Sequence, residues 1–185
     1  MSDSSLHSFL ERSWVIKNGD PDQLAPLSRG LNLPSIVVQL LCQRGMSTLE
    51  DAKSFLAASL SEMPDPGSMA DIEKASERLL KAVQDGEKIT VYGDYDVDGV
   101  TSSSVLWLFF RDVFGVEIDV YIPHRLKEGY GLNSAAIDTL ANSGTQVLIT
   151  VDNGSSAVAE VAQANDLGMD VIIIDHHQIS DPEPS

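Results

Sequence analysis

After Lys88 the chain alternates two kinds of apolar pattern. Residues 89–92, 118–122, 147–151 and 171–174 are short runs dense in Val, Ile, Thr and Tyr. Runs of that length and composition predict strands, and the near-absence of polar alternation predicts strands buried on both faces. Between them, residues 100–114, 134–141 and 157–167 are long enough for helices. Strands alternating with helices predict βαβ units and a parallel sheet. Upstream the period is helical. Residues 33–43 are mostly apolar and run to Gly45, where a helix should stop. Ser47-Thr48-Leu49-Glu50 has the form of a capping box, opening a helix that carries Ala52, Phe55 and Leu56. Pro64-Asp65-Pro66-Gly67 reads as a turn or linker, and residues 72–83 place Ala75, Leu79, Leu80 and Val83 on one helical face. The expected organisation is a helical lead-in over residues 1–70 and an α/β domain over 71–185, doubly wound around a mostly parallel sheet. The tail 180–185, rich in Pro, Ser and acid, is expected to be disordered.

Composition narrows the function classes. With 185 residues and 43% hydrophobic content, the chain can build one core with a small appendage. No stretch approaches the roughly 18 apolar residues of a membrane helix, and the start, MSDSSLHSFLERSW, has no signal-peptide pattern, so no membrane partner is expected. The lone Cys42 follows the apolar run 37–41 and reads as a buried helical thiol rather than a nucleophile; a chain without cysteine pairs fits a cytoplasmic location. Nothing in the composition fixes an oligomeric state. The net charge of −16 weighs against nucleic acid, because phosphates call for Lys and Arg. It does so only if the carboxylates are scattered. Gathered around divalent cations, they would supply positive charge at a phosphate.

They are gathered. In open α/β sheets ligands bind beyond the carboxyl ends of the strands. The first strand is followed by Gly93-Asp94-Tyr95-Asp96-Val97-Asp98-Gly99, the third by Asp152-Asn153-Gly154 and the fourth by Asp175-His176-His177. Any one Asp-Gly reads most simply as a turn and a His pair as a surface feature. Three such ends on one sheet edge would repel one another without a cation. In the first cluster, extended backbone would set Asp94, Asp96 and Asp98 on one side, roughly 6–7 Å apart per step. Oxygen donors with imidazole, and no thiolate nearby, suit Mn²⁺ or Mg²⁺. Gly99 is expected to turn the chain into a helix from 100. The hydroxyls of Thr101-Ser102-Ser103-Ser104 would then cap that helix or meet an anion.

These residues carry a resemblance. Residues 91–101, Val-Tyr-Gly-Asp-Tyr-Asp-Val-Asp-Gly-Val-Thr, resemble the first motif of the DHH phosphoesterase superfamily in its RecJ-type branch. Val151-Asp152-Asn153-Gly154 resembles the second, and Ile174-Asp175-His176-His177 the third. The loop Pro123-His124-Arg125 with Glu128-Gly129-Tyr130-Gly131-Leu132 is similar to a stretch between the first two motifs, and residues 33–56 resemble the lead-in more distantly. The resemblance implies a hydrolase of phosphodiesters using two Mn²⁺ or Mg²⁺ ions, a 5′–3′ single-stranded DNA exonuclease of DNA repair and recombination. It implies Asp94, Asp96, Asp98, Asp152, Asp175 and His176 as the metal set. Asp98, Asp152, His176 and His177 would be the catalytic groups, and Arg125 and Thr101 substrate contacts. A fourth-motif acid, a second domain and the DNA-binding domains would lie beyond Ser185, so the chain is expected to be an N-terminal fragment with little or no exonuclease activity alone.

Two rival readings share the fold. DHH relatives that hydrolyse short oligonucleotides, cyclic dinucleotides or pyrophosphate carry a His four residues before the middle Asp of the first motif, where this chain has Tyr92. A non-catalytic DHH-fold binding module would have lost the ligands that Asp96, Asp98, Asp152 and His176 retain. A receiver domain also gathers acids at strand ends, but it has no Asp-His-His and wants a lysine after its last strand.

Overall fold

Helical period accounts for most of the chain's first part. In the computed structural model, which describes residues 5–7, 13–15, 20–57 and 59–184, the chain divides into two compact units, residues 1–65 and 66–185. The first unit holds helices α1 (Pro21–Leu31), α2 (Ser35–Gln43) and α3 (Leu49–Ala57), with Leu27, Val38, Leu41 and Ala52 buried among them. Cys42, on α2, is only half-buried, because it lies one position past Leu41 and off the helix's covered face. The α3 cap is Thr48, whose hydroxyl accepts the Asp51 amide at 3.1 Å. The lead-in is not all helical. Strands β1 (Ser5–His7) and β2 (Ser13–Val15) pair antiparallel, Leu6 opposite Trp14. Each is too short for its period-two alternation to stand out in the sequence.

The second unit opens with α4 (Ile72–Asp85), closed by Gly86 in the left-handed conformation. There follow β3 (Ile89–Gly93), α5 (Val97–Phe109), β4 (Asp119–Tyr121), α6 (Ser134–Asn142), β5 (Val147–Val151), α7 (Val158–Asp166) and β6 (Asp170–Ile174). A π turn, Phe110–Phe114, extends α5, so the helix expected over 100–114 starts three residues early and ends on a changed pitch. The four strands form one parallel sheet in the order β4-β3-β5-β6.

Period two explains how the sheet is covered. Ile89, Val91, Val147, Ile149 and Val151 face one way, against Ala82 of α4 and Phe110. Tyr92 and Leu148 face the other, against Ala136, Ile137 and Leu140 of α6 and Val161 and Ala164 of α7. The central strands β3 and β5 are buried along their whole length, whereas the outer strands β4 and β6 are partly exposed. This is the doubly wound α/β unit that the sequence predicts. From β3 the chain moves outward to β4, then returns to β5 and continues to β6 on the other side. The carboxyl ends of β3 and β5 therefore flank the point where strand order reverses, which is where such sheets open a crevice. Beyond β6 the residues to 184 have no regular secondary structure, but Ser180 is not free: its amide bonds the Ser155 carbonyl at 3.1 Å.

Candidate metal centre

The loop after β3 is held by its own first helical turn. Asp96 is the N-cap of α5, its carboxylate accepting the amides of Asp98 at 2.9 Å and Gly99 at 3.2 Å. The expected extended row of Asp94, Asp96 and Asp98 therefore does not form. Capping by Asp96 starts the helix at Val97 and puts Asp98 in its exposed first turn. Gly99 lies inside the helix rather than at a turn, and its role is contact. A Cβ there would stand 2.3 Å from the Asp94 carbonyl oxygen and 2.4 Å from its nitrogen. The hydroxyls expected to cap instead bond back to their own helix: Thr101 to Val97 O at 2.7 Å, Ser103 to Gly99 O at 2.7 Å and Ser104 to Val100 O at 2.7 Å. Thr101 thus has its proton engaged within α5.

The end of β5 is shaped by unusual backbone. Asp152 has φ +62 and Gly154 φ +112. A side chain at 154 would meet the Thr150 hydroxyl at 2.6 Å, so only glycine fits. Between them Asn153, fully buried, donates to Val151 O at 2.9 Å and to Tyr92 O at 3.3 Å. One side chain thereby ties the ends of β3 and β5. The Asp152 amide bonds Ile174 O at 2.9 Å and ties in β6 as well.

These constraints bring two overlapping groups together. Ligand atoms of Asp94, Asp96 and Asp152 lie within 4.8 Å of one another, as do those of Asp152, His176 and His177. Asp152 belongs to both. His176 Nε2 is 3.1 Å from Asp152 Oδ1, and Asp98 is close enough for its charge to act on Asp152. Asp175 is turned to the protein: it accepts the amides of Ser155, His176 and His177 at 3.0, 2.8 and 3.2 Å and the His177 Nδ1 at 2.7 Å. It is in neither of the two groups, and both its oxygens already have donors. A carboxylate on Nδ1 fixes the ring and leaves Nε2 outward, the pattern common behind metal-binding histidines.

The electrostatics follow. Burial, then the neighbouring Asp96 carboxylate, raises the Asp152 carboxyl above the usual range. The Gly99 and Asp98 amides hold Asp96 below it. Burial would lift Asp175, but the Ser155 amide and the His177 contacts outweigh it and bring the group down to about 2. Asp175 in return raises the His177 imidazole. Asp94 is only 1% exposed, and its Oδ1 has no hydrogen-bond partner. A buried, unpartnered carboxylate oxygen in a cluster of acids is costly on its own and is relieved by a cation. The donor set of carboxylates and imidazole fits Mn²⁺ or Mg²⁺.

A row of flat groups borders this cluster. The Arg125 guanidinium lies 5.1 Å over the Tyr95 ring, Tyr95 meets Tyr130 edge-on at 6.4 Å, and Tyr130 meets His177 edge-on at 6.1 Å. The Tyr130 hydroxyl reaches Asp152 O at 3.4 Å, and burial, with the charges of Asp94, Asp175 and Asp152, pushes its pKa up and keeps it protonated. This row sets Arg125 at the edge of the cluster. Tyr95, Tyr130 and Asn153 are not among the site residues that the sequence suggests, since no local pattern marks a ring that a loop carries across a crevice.

Residues 88–185 match the DHH family, N-terminal domain. The single-stranded-DNA-specific exonuclease RecJ of Bacillus subtilis is 42% identical over 165 residues, 89% of this chain and 21% of that protein. The protein of the same description from Escherichia coli is 34% identical over 176 residues, covering 95% and 30%. The chain thus spans about a fifth to a third of these relatives. Among solved structures, exonuclease RecJ bound to manganese superposes with a TM-score of 0.56 at 33% identity, over 60% of this chain and 29% of the other. RecJ in complex with Mn²⁺ from Thermus thermophilus gives 0.61 at 23% identity, over 91% and 23%, a likeness of fold.

Proposed function

The chain belongs to the DHH family, and from that premise we propose that it carries the metal-binding part of a phosphodiester hydrolase acting on single-stranded DNA from the 5′ end, in repair and recombination. Such a role puts it in the cytoplasm with its substrate. The observation that carries the reading is Asp94, buried and unpartnered among Asp96 and Asp152 at the switch point of the sheet. Asp94, Asp96 and Asp152 would hold one ion, and Asp152 with His176 and His177 a second, with Asp98 at the rim. Two Mn²⁺ or Mg²⁺ ions bound there would neutralise the phosphate and lower the pKa of an attacking water.

The chain's own residues would do the rest. Asp175 keeps His177 oriented through its Nδ1. Arg125 offers a planar pair of donors to a phosphate. Tyr130, 56% exposed, offers a ring face on which a base of an unpaired strand can stack. Single-stranded substrate suits the site because duplex bases have no free face to give. Cutting of short oligonucleotides or cyclic dinucleotides is less favoured. Position 92 holds a tyrosine that is fully buried, with its hydroxyl engaged on Gly131 O.

Titration calorimetry of the purified chain with Mn²⁺ tests the metal assignment. Binding should fall by about tenfold or more in Asp152→Ala and in Asp98→Ala plus Asp152→Ala. Binding unchanged in the double variant removes the reading. Mn²⁺-dependent release of nucleotides from 5′-phosphorylated single strands tests the activity. The chain alone should show little of it, and fast digestion would refute that expectation.

A further inference from the structure

Tyr130 and Arg125 sit on the loop between β4 and α6, whose own backbone closes one turn, the Lys127 and Glu128 amides both donating to His124 O at 2.9 Å, before the chain reaches Tyr130. Tyr130 is flanked by Gly129 at φ +83 and Gly131 at φ +77, and a Cβ at either position would meet nothing within 4 Å. The rest of what fixes the loop comes from side chains. The Tyr121 hydroxyl donates to one oxygen of Glu128, and the His124 amide donates to the other at 2.7 Å. Three residues on, Tyr92 donates to Gly131 O at 2.9 Å and accepts from the Asn133 amide nitrogen at 3.1 Å. The two tyrosine rings stack at 5.1 Å and 24°. Asn133 also caps α6, accepting the Ala136 amide at 2.8 Å. The loop is thus clasped on both sides of Tyr130, by neighbouring tyrosines of β3 and β4.

We propose that Glu128 is a positioning residue. Its carboxylate, clasping the Tyr121 hydroxyl and the His124 amide, sets Tyr130 and Arg125 at the rim of the metal cluster and thereby governs how the chain engages an unpaired strand. The consequence for the strand rests on the function proposed above; the clasp itself does not. Glu128 belongs to neither metal-binding group. An acceptor with two oxygens is required, because a hydroxyl and an amide approach from different sides. Glutamine keeps one acceptor oxygen and so keeps half of the clasp. Alanine keeps neither.

The experiment uses the full chain with three substitutions, Glu128→Ala, Glu128→Gln and Tyr130→Ala. Hydrogen–deuterium exchange reads the clasp without any ligand. Amides of 124–132 in Glu128→Ala should exchange about tenfold faster, the worth of a hydrogen bond to a charged acceptor. Those of β3 and β5 should be unchanged. Loop exchange equal to that of the wild-type chain overturns the clasp. Calorimetry with Mn²⁺ should give the same affinity within about twofold; a parallel loss of Mn²⁺ binding assigns Glu128 to the metal site and overturns the positioning role. Fluorescence anisotropy with a 5′-phosphorylated oligodeoxythymidylate, made uncleavable by phosphorothioate linkages and measured in Mn²⁺, reads the consequence. Glu128→Ala should bind about fivefold or more weakly, with Glu128→Gln in between. In the Tyr130→Ala background Glu128→Ala should add clearly less than it costs alone, because part of its effect runs through Tyr130 and the rest through Arg125. Additive losses overturn the proposal. If the wild-type chain binds Mn²⁺ but no oligonucleotide, the proposed function fails, and the exchange result still decides for or against the clasp.

Discussion

Gly99→Ala separates a site positioned by backbone packing from one positioned by side chains. The added Cβ would lie 2.3, 2.4 and 2.6 Å from the O, N and C atoms of Asp94. All three are main-chain atoms, so no rotamer change relieves them. Bringing the nearest from 2.3 Å to the 3.4 Å of ordinary contact moves the start of α5 or the Asp94 segment by about 1.1 Å. Overpacking against such rigid neighbours costs roughly 3 kcal/mol. Alanine's better helix propensity returns about 1 kcal/mol. The net loss is about 2 kcal/mol, or roughly 5–10 °C in Tm for a unit of this size. The same shift pulls Asp94 away from Asp96 and Asp152, so Mn²⁺ affinity should fall by about tenfold or more. Thermal unfolding and Mn²⁺ calorimetry measure both losses. Gly86→Ala is the control: it lies in the left-handed region at φ +69 with nothing within 4 Å of its Cβ. It should cost about 1 kcal/mol of stability and leave Mn²⁺ binding untouched. Wild-type stability and affinity in Gly99→Ala would refute the claim that the helix is seated on the Asp94 backbone.

Three other outcomes are expected. Asp94→Asn removes a buried charge from among like charges, so without metal it should raise stability by about 1 kcal/mol, while the stabilisation that Mn²⁺ gives the wild-type chain is largely lost; a metal-free variant less stable than wild type contradicts this. Asp175 has its folded value depressed to about 2, so its contribution is present above the unfolded carboxyl value and is lost as pH falls from about 4 toward 2. Asp175→Asn should therefore destabilise by roughly 1–2 kcal/mol at pH 7 and by little at pH 2, and equal losses at both, by denaturant titration, would show that no charge is involved. Mn²⁺ binds the ionised form of Asp152, whose carboxyl is raised above the usual range, so affinity should weaken as pH falls toward that carboxyl and binding there should release protons; calorimetry in buffers of different ionisation enthalpy at successively lower pH detects the release.

The sheet was legible because its strands are short, apolar and separated by helix-length segments, and β3 and β5 are buried end to end as that pattern predicts. The cluster was legible because a parallel sheet delivers every strand's carboxyl end to one edge. Its inner geometry was not. An Asp followed two residues on by an acid is an N-cap with a charged first turn, and that signal outweighs the extended reading of 94–98. Asp175 stands beside His176 in the sequence, and only the fold shows that Ser155, twenty residues away, donates to one of its oxygens. The roles of Glu128 and Tyr130 gave no sign, because they depend on Tyr121, Asp152 and His177, which come close only in the fold. The β1–β2 pairing was missed for a simpler reason: three residues per strand are too few to show a period.

The acidic balance of the chain, at −16, takes on a different meaning once the strand order is known. Strand order reverses between β3 and β5, and at that point the ladder pairs Gly93 with Val151 and the buried Asn153 bridges the two strand ends. A rigid join there is a liability if the loops carry only carboxylates, because Asp94, Asp96 and Asp152 cannot relax apart. The left-handed Asp152 adds strain of the order of 1 kcal/mol to the same point. A fold selected for its own stability would place neutral side chains at these positions. Repulsion, strain and an unpartnered oxygen held together at one crevice make sense if a cation of the right size removes all three penalties at once, leaving its positive charge facing the open edge. The negative composition is then no argument against a phosphate-bearing partner. Under the proposed function the acids would supply the means by which such a partner is drawn to the site, and Arg125 and Tyr130 would need only to orient it.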